Sequence, residues 1–341
     1  ELMQAAAGKF VVSNIDKKQR KRNPAPPFIT ASLQQEADRK CGFTAKRTMR
    51  IAQQLYEEGI ITYMRTDSVN LANEAVSDIR ELIAKNYGAE NLPSQPNAYK
   101  TKSKSAQEAH EAIRPTAIGQ TPQIIQDSLN AEQFKLYDLI WKRTVACQMI
   151  PALINTVAVD LQCGQDNYFR ANGSVIVKPG FLAVYQEGTD DKLPQNDEKM
   201  LPVMKVGDIV EVNSICGEQH FTEPPPRYSE ASLIKALEEY GIGRPSTYAA
   251  IISTIQSRGY VILENKRFKP TDMGRVVNKF LTDYFTKYVD YGYTAELEDQ
   301  LDAVARGEKQ WIPLLEEFWR PFIKLINKIE DTVKKRDVTQ E

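Results

Sequence analysis

Gly59-Ile60-Ile61-Thr62-Tyr63-Met64-Arg65-Thr66-Asp67-Ser68-Val69 is the stretch on which the reading of this chain turns. A tyrosine stands two residues before an arginine, among two threonines, an aspartate and a serine. Such a segment is poor core material, because every buried hydroxyl and charge needs a partner. It suits a phosphate: a nucleophilic phenol, a guanidinium fork and short hydrogen-bonding side chains. An unperturbed phenol, with a pKa of about 10, is a weak nucleophile at neutral pH. Positive charge from Arg65 favours the phenolate and the developing charge of a phosphoryl transition state.

Outward from this stretch the pattern is helical over 29–149. Thr44 caps a helix through Met49, Ile51, Ala52 and Leu55 that stops at Gly59, so the tyrosine follows a helix end in an extended turn. Val76, Ile79, Leu82 and Ile83 mark a second helix ending near Gly88. Asn130 with Gln133 makes a capping box for a third, through Phe134, Tyr137, Ile140, Trp141 and Thr144. From 150 to 225 the period changes to two. Residues 155–161, 174–177 and 208–213 predict strands, punctuated by Gly and by Asn172-Gly173. A short strand at Phe10-Val11-Val12 is expected to join them. The basic run Lys17-Lys18-Gln19-Arg20-Lys21-Arg22 and Pro24-Ala25-Pro26-Pro27 read as a connector.

Beyond Pro224-Pro225-Pro226 helices return. Ser229 caps Leu233, Ile234 and Leu237, and Ser246 caps Tyr248, Ile251, Ile252 and Ile255. A hairpin turns around Glu264-Asn265. Helix, turn, helix, hairpin is the order of a winged helix. A last amphipathic helix runs from Trp311 through Phe318, Trp319 and Phe322, its aromatic stripe expected in a core. The predicted fold class is multi-domain α+β. Its parts are a discontinuous β-rich domain (1–28 and 150–225), a helical block (29–149) and a mostly helical, winged-helix-like part (226–341).

Three further segments draw attention. Glu108-Ala109-His110-Glu111-Ala112-Ile113-Arg114-Pro115 carries one of two histidines but fails the H-E-x-x-H metal pattern, since position 114 is arginine. His110 and Arg114 share a face if the segment is helical, or meet across a turn, and either arrangement gives a phosphate two donors. Gly241-Ile242-Gly243-Arg244-Pro245-Ser246-Thr247 precedes a helix, where free N–H groups with Arg244, Ser246 and Thr247 form a phosphate cradle. Phe28-Ile29-Thr30-Ala31-Ser32-Leu33-Gln34-Gln35 reads as an amphipathic helix start.

Composition sets bounds. The 341 residues carry a formal charge of −1 and are 42% hydrophobic, so there is no global basic signature. Cys41, Cys147, Cys163 and Cys216 form no C-x-x-C, which argues against a zinc site and fits four free thiols in a reducing cytoplasm. No apolar run approaches a membrane span, and there is no G-x-x-x-x-G-K-[ST] nucleotide loop. The chain begins at Glu1 without methionine and reads as a piece cut from a longer protein.

These segments resemble, in order and spacing, those of the type IA DNA topoisomerases, and among them the bacterial topoisomerase I group. The resemblance rests on the tyrosine stretch, on residues 108–115, on Pro224-Pro225-Pro226-Arg227-Tyr228-Ser229-Glu230-Ala231-Ser232-Leu233 and on residues 241–249. It implies an ATP-independent isomerase that cuts one DNA strand through a 5′-phosphotyrosine, passes a strand and reseals, relaxing negative supercoils. Tyr63 then matches the nucleophile, with Arg65 and His110 as catalytic neighbours. Thr62, Asp67, Arg114, Arg244, Ser246 and Thr247 match DNA-binding positions. The resemblance further implies a gate (29–149), an arch (1–28 and 150–225) and a base (226–341). Its expected partners are single-stranded DNA and negatively supercoiled duplex. A cytoplasmic, nucleoid-associated bacterial monomer with no membrane contact is expected. Family members bind Mg2+ through a D-x-D pair in an N-terminal Toprim domain. No D-x-D occurs in this sequence, so no metal is expected here and the chain alone is expected to be inactive. The zinc-ribbon tail of many members is missing too. Topoisomerase III, an alternative within the family, usually has proline where Met64 stands. A non-enzymatic winged-helix module for single-stranded DNA is the alternative outside it, and leaves Tyr63, Arg65 and His110 without a role.

Overall fold

The computed structural model describes residues 9–100, 110–189 and 201–333. In chain order the main elements are β1 (Lys9–Arg22), α1 (Thr30–Cys41), α2 (Ala45–Glu57), α3 (Asn73–Tyr87), α4 (Ala131–Cys147), β2 (Ala152–Cys163), β3 (Asn167–Lys178) and β4 (Ile209–Glu211). They continue with α5 (Glu230–Glu239), α6 (Tyr248–Ser257), β5 (Val261–Glu264), β6 (Arg267–Pro270), α7 (Asp272–Tyr284), α8 (Tyr291–Ala305) and α9 (Trp311–Thr332). The architecture is α+β, in two compact units. One comprises residues 1–26, 73–97 and 142–225, and the other 27–72, 98–141 and 226–341.

The first unit is built on a sheet of order β3-β2-β1-β4. The Phe10 strand does join the strands of 150–225, but it is far longer than three residues. β1 pairs antiparallel with β2 from Val11↔Gln162 to Arg22↔Ala152. The basic run is therefore strand, not connector. Its partner Ala152–Cys163 carries the apolar residues that a strand needs, and β1 borrows order from them through the ladder. Asn172-Gly173 is likewise not a turn; it lies inside β3, opposite Ala158 and Val157. The turn between β2 and β3 falls instead at Gly164, with φ +73°. A small core at one end stacks Phe10 on Phe169, ring centroids 5.0 Å apart, beside Cys163. In the same unit Asn97 Nδ2 donates to the carbonyls of Cys147 and Met149, closing the C-terminal end of α4.

In the second unit α1 is the hub. Leu33 and Ala37 are fully buried, and so are the polar Thr30 and Gln34, so this helix is enclosed rather than amphipathic. Ala31 packs with Ala45, Ile234, Tyr248, Ile252 and Phe268, joining α1 and α2 to the helix–helix–hairpin motif of α5, α6 and β5–β6. Two carboxylates stitch the helix starts together. Glu230 Oε2 accepts from Ala45 N–H at 2.7 Å, and Asp38 Oδ2 from Ala231 N–H at 3.2 Å. Each serves an N–H that has no partner within its own helix. Burial raises the pKa of Glu230 above its ordinary value, against the lowering effect of the Ala45 bond. The hairpin turns at Asn265 and Lys266, both at positive φ. The aromatic stripe of α9 is not core. Trp311 and Trp319 are 57% and 54% exposed, while Phe318 and Phe322 stack on each other and meet Tyr288 edge-on.

Candidate active site

The tyrosine stretch is an extended strap laid over α1. Thr44 caps α2 by accepting from Arg47 N–H, and the chain leaves that helix at Gly59, φ +72°. After Thr62 burial alternates along the strap. Met64, Thr66 and Ser68 are buried at 1%, 2% and 1%, whereas Tyr63 is 41% exposed and Arg65 is exposed. This is the period of an extended chain with one face against a core. It turns Tyr63, Arg65 and the half-buried Asp67 outward.

One hydroxyl anchors the inner face. Thr30 Oγ1 donates to the Met64 carbonyl at 2.8 Å and accepts from Thr66 N–H at 2.9 Å, while Thr30 N–H donates to the Thr66 carbonyl at 2.9 Å. The other border is the segment 110–116, which is extended, not helical. It bridges to the strap through Ile61 and Pro115 and to Phe28 through Ile113. Thr62 N–H donates to the Arg114 carbonyl, and the Thr62 hydroxyl donates to the Ala112 carbonyl at 2.7 Å. Thr62 thus spends its hydroxyl on the frame while also lining the cleft.

That open cleft is lined by Thr62, Tyr63, Thr66, His110 and Glu111. The Tyr63 ring stands 6.2 Å from the His110 ring, centroid to centroid, and meets Tyr56 edge-on at 5.3 Å. Arg65 is exposed and makes no hydrogen bond or ion pair among the described residues. Arg114 is placed differently. Its guanidinium donates to Glu111 at 2.8 Å and to the Pro115 carbonyl at 2.9 Å, so it does not meet His110 as a pair of free donors. Glu111 also accepts from Ala72 N–H at 2.6 Å, tying the far end of the strap to the 110–116 segment.

The loop before α6 departs from the expected cradle. Gly243 N–H donates to Glu298 at 3.0 Å. Arg244 donates to Asp302 through Nη2 at 2.7 Å and Nε at 3.1 Å, and pairs with Glu298 at 3.2 Å and Asp299 at 3.3 Å. Burial works against its charge, but the Asp302 bond and the three carboxylates outweigh it and raise its pKa. Of the groups that the sequence offered to a phosphate here, Gly243 N–H and Arg244 already hold carboxylates from α8. Thr247, not Ser246, is the N-cap residue of α6, and its hydroxyl accepts from Arg244 N–H at 2.8 Å; Ser246 is exposed. Gly243 sits at φ +83°, where a Cβ would come within 3.1 Å of the Tyr248 ring. Burial of Tyr248 raises its pKa, and among the charges acting on it are Glu238, Arg244 and Asp67. Sequence reasoning missed Thr30, Tyr56, Glu111 and the α8 carboxylates. Tyr56, seven residues before Tyr63, and Glu111 and Thr30, each inside a segment singled out above, had a signal in sequence, although Thr30's segment read only as a helix start; the α8 carboxylates had none.

Among the described residues no group of three His, Cys, Asp or Glu side chains is arranged to hold a metal ion. No helix among them is long and apolar enough to cross a membrane.

Known proteins resemble this chain over nearly its whole length. The chain is 56% identical to the DNA topoisomerase 1 of Xylella fastidiosa strain Temecula1, over 98% of this chain and 43% of that protein. It is 52% identical to the DNA topoisomerase 1 of Rickettsia prowazekii, over 95% of this chain and 43% of that protein. The chain thus spans less than half the length of these curated relatives. The full-length topoisomerase I structure from Thermotoga maritima superposes with a TM-score of 0.81 at 36% identity, covering 95% of this chain and 54% of that one. The family model described as DNA topoisomerase matches residues 1–316, and the chain belongs to that family.

Proposed function

We propose that the protein containing this chain is a type IA DNA topoisomerase that relaxes negatively supercoiled DNA without ATP. The observation that carries the reading is the strap, which turns Tyr63 outward beside His110, and Arg65 outward two residues on, while its inner face is locked to α1. The Tyr63 phenolic oxygen attacks a backbone phosphorus, and the bond from phosphorus to the 3′ oxygen breaks. The phenol loses its proton, the departing 3′ oxygen gains one, and the 5′ phosphate stays on tyrosine. Religation is the reverse, so the phosphodiester energy is stored and no nucleotide is consumed. Arg65 neutralises charge on the phosphoryl oxygens in the transition state. His110 bounds the cleft beside the phenol and supplies a further donor.

Single-stranded DNA is the substrate at the cleft, and negatively supercoiled duplex supplies it. The helical block 29–149 serves as the gate, the sheet domain as the arch and residues 226–341 as the base, in a cytoplasmic, nucleoid-associated monomer. In this reading magnesium and the acid that protonates the 3′ oxygen come from outside the residues of this chain, which spans less than half of the length of its relatives. The relatives' name, DNA topoisomerase 1, does not favour a topoisomerase III-like decatenase or a non-enzymatic DNA-binding module. The test is to trap a covalent DNA adduct with the full-length protein. Tyr63→Phe should abolish the adduct and relaxation while leaving DNA binding nearly intact. Relaxation by Tyr63→Phe would overturn the assignment.

A further inference from the structure

β1 holds a surface that the tyrosine chemistry does not use. β4 covers its outer edge only along Lys9, Phe10 and Val11. From Ser13 to Arg22 no strand among the described residues pairs with that edge. Along it stand Lys17, Lys18, Arg20, Lys21 and Arg22, the first four exposed. Only Lys18 has a carboxylate, Asp16, at 2.6 Å. Lys17, Arg20, Lys21 and Arg22 have no ion pair or side-chain hydrogen bond among the described residues. The strands behind offer none either: residues 152–157 of β2 and 173–178 of β3 contain no Asp or Glu, and Lys178 adds a further positive charge. In a chain of net charge −1 this is a local concentration of unneutralised cations.

Scattered edge lysines are also a device against sheet-to-sheet aggregation. One or two charges suffice for that, whereas here four unpaired cations lie within six residues of one strand edge, Lys17 and Lys21 leaving one face of the sheet and Arg20 and Arg22 the other, so that they flank the edge on both sides. Such a row spans roughly 17 Å. Over that length a DNA duplex presents on the order of ten phosphates. The segment 13–22 and the strands behind it at 152–157 and 173–178 contain no aromatic residue on which bases can stack. Binding to single strands leans on such platforms. We infer that the basic edge of β1 is a second nucleic-acid site, a sequence-independent track for the phosphate backbone of duplex DNA. It is separate in chemistry from the tyrosine cleft. The inference takes from the proposed function only that the ligand is DNA, since it needs neither cleavage nor Tyr63.

The experiment measures binding of this chain, carrying Tyr63→Phe, to a labelled mixed-sequence duplex and to a single strand of equal length between 50 and 200 mM salt. The comparison variant is Lys17→Gln/Arg20→Gln/Lys21→Gln/Arg22→Gln. Losing four phosphate contacts should flatten the log–log salt slope for duplex by roughly 3 to 4 and weaken duplex binding by on the order of tenfold or more, with little change on the single strand. The double variant Lys17→Gln/Lys21→Gln should lose roughly half that slope, which keeps the test decisive if the quadruple variant misfolds. Neutralising exposed Lys324 and Lys328 on α9 should change neither quantity. An unchanged duplex slope, an equal loss on the single strand, or an equal loss from the α9 variant would each overturn the inference. None of these outcomes bears on whether Tyr63 is the nucleophile.

Discussion

Thr30→Val removes one hydroxyl from a fully buried position and leaves the side chain nearly the same shape. In the native strap that hydroxyl donates to Met64 O and accepts from Thr66 N–H, both buried. Valine strands both groups, and each buried orphan costs about 1–3 kcal/mol. The Thr30 N–H bond to Thr66 O survives, so the strap loosens rather than detaches. A total of about 3 kcal/mol lowers the melting temperature of a unit of roughly two hundred residues by about 6–12 °C. Hydrogen exchange should localise the loss to the Thr66 amide before the rest of the unit. In the full-length protein the displaced phenol should slow cleavage by on the order of a hundredfold, as misplacement by about 1 Å does. Thr30→Ser keeps the hydroxyl and should restore most of both. If Thr30→Val melts within a degree of wild type and the Thr66 amide exchanges as before, the strap is not held as described.

Arg65→Ala should slow cleavage by on the order of a hundredfold or more with a smaller loss of binding, and Arg65→Lys should recover only part, since an ammonium cannot reproduce the fork; equal losses of rate and affinity would show a simple phosphate anchor. Asp299→Asn/Asp302→Asn should remove two of the three carboxylates that hold Arg244, leaving Glu298, and strengthen single-stranded DNA binding by severalfold at low salt, with a steeper salt dependence; unchanged titrations would mean that Arg244 serves only the loop. Glu230 binds its proton more tightly folded than unfolded, so its contribution to stability is greatest below the ordinary carboxyl pKa of 4.5 and is lost as pH rises through its raised value. Glu230→Gln should therefore match wild type near pH 4 and gain on it towards pH 7–8; a difference that is constant with pH would refute the burial argument.

Much of this was legible in sequence where the cause is local. Thr44, Asn130 with Gln133, and Ser229 each cap the helix that follows within three residues, and all three do so in the fold. The outward tyrosine and arginine follow from two-residue spacing. What could not be read depends on distant partners. Thr30 meets the strap across more than thirty residues, and the carboxylates around Arg244 lie more than fifty residues further along the chain. The five cations at residues 17–22 of β1 show no alternation with apolar residues, because their strand conformation is imposed by β2. The α9 stripe misled for another reason: its spacing records an apolar face but not what covers that face.

The strap divides two duties between alternate residues. Met64, Thr66 and Ser68 answer to the interior, while Tyr63, Arg65 and Asp67 answer to whatever approaches from outside. Selection, or an engineer, can therefore vary the outer set with little effect on folding, while the inner set bears first on folding and reaches the chemistry through the position of the strap and through Thr66, which also lines the cleft. A single-residue insertion after Thr62 would exchange the two sets and abolish both at once, whereas a two-residue insertion would keep the parity and only displace the phenol. A deep mutational scan of this stretch should thus show a two-residue rhythm in abundance data and the complementary rhythm in activity data.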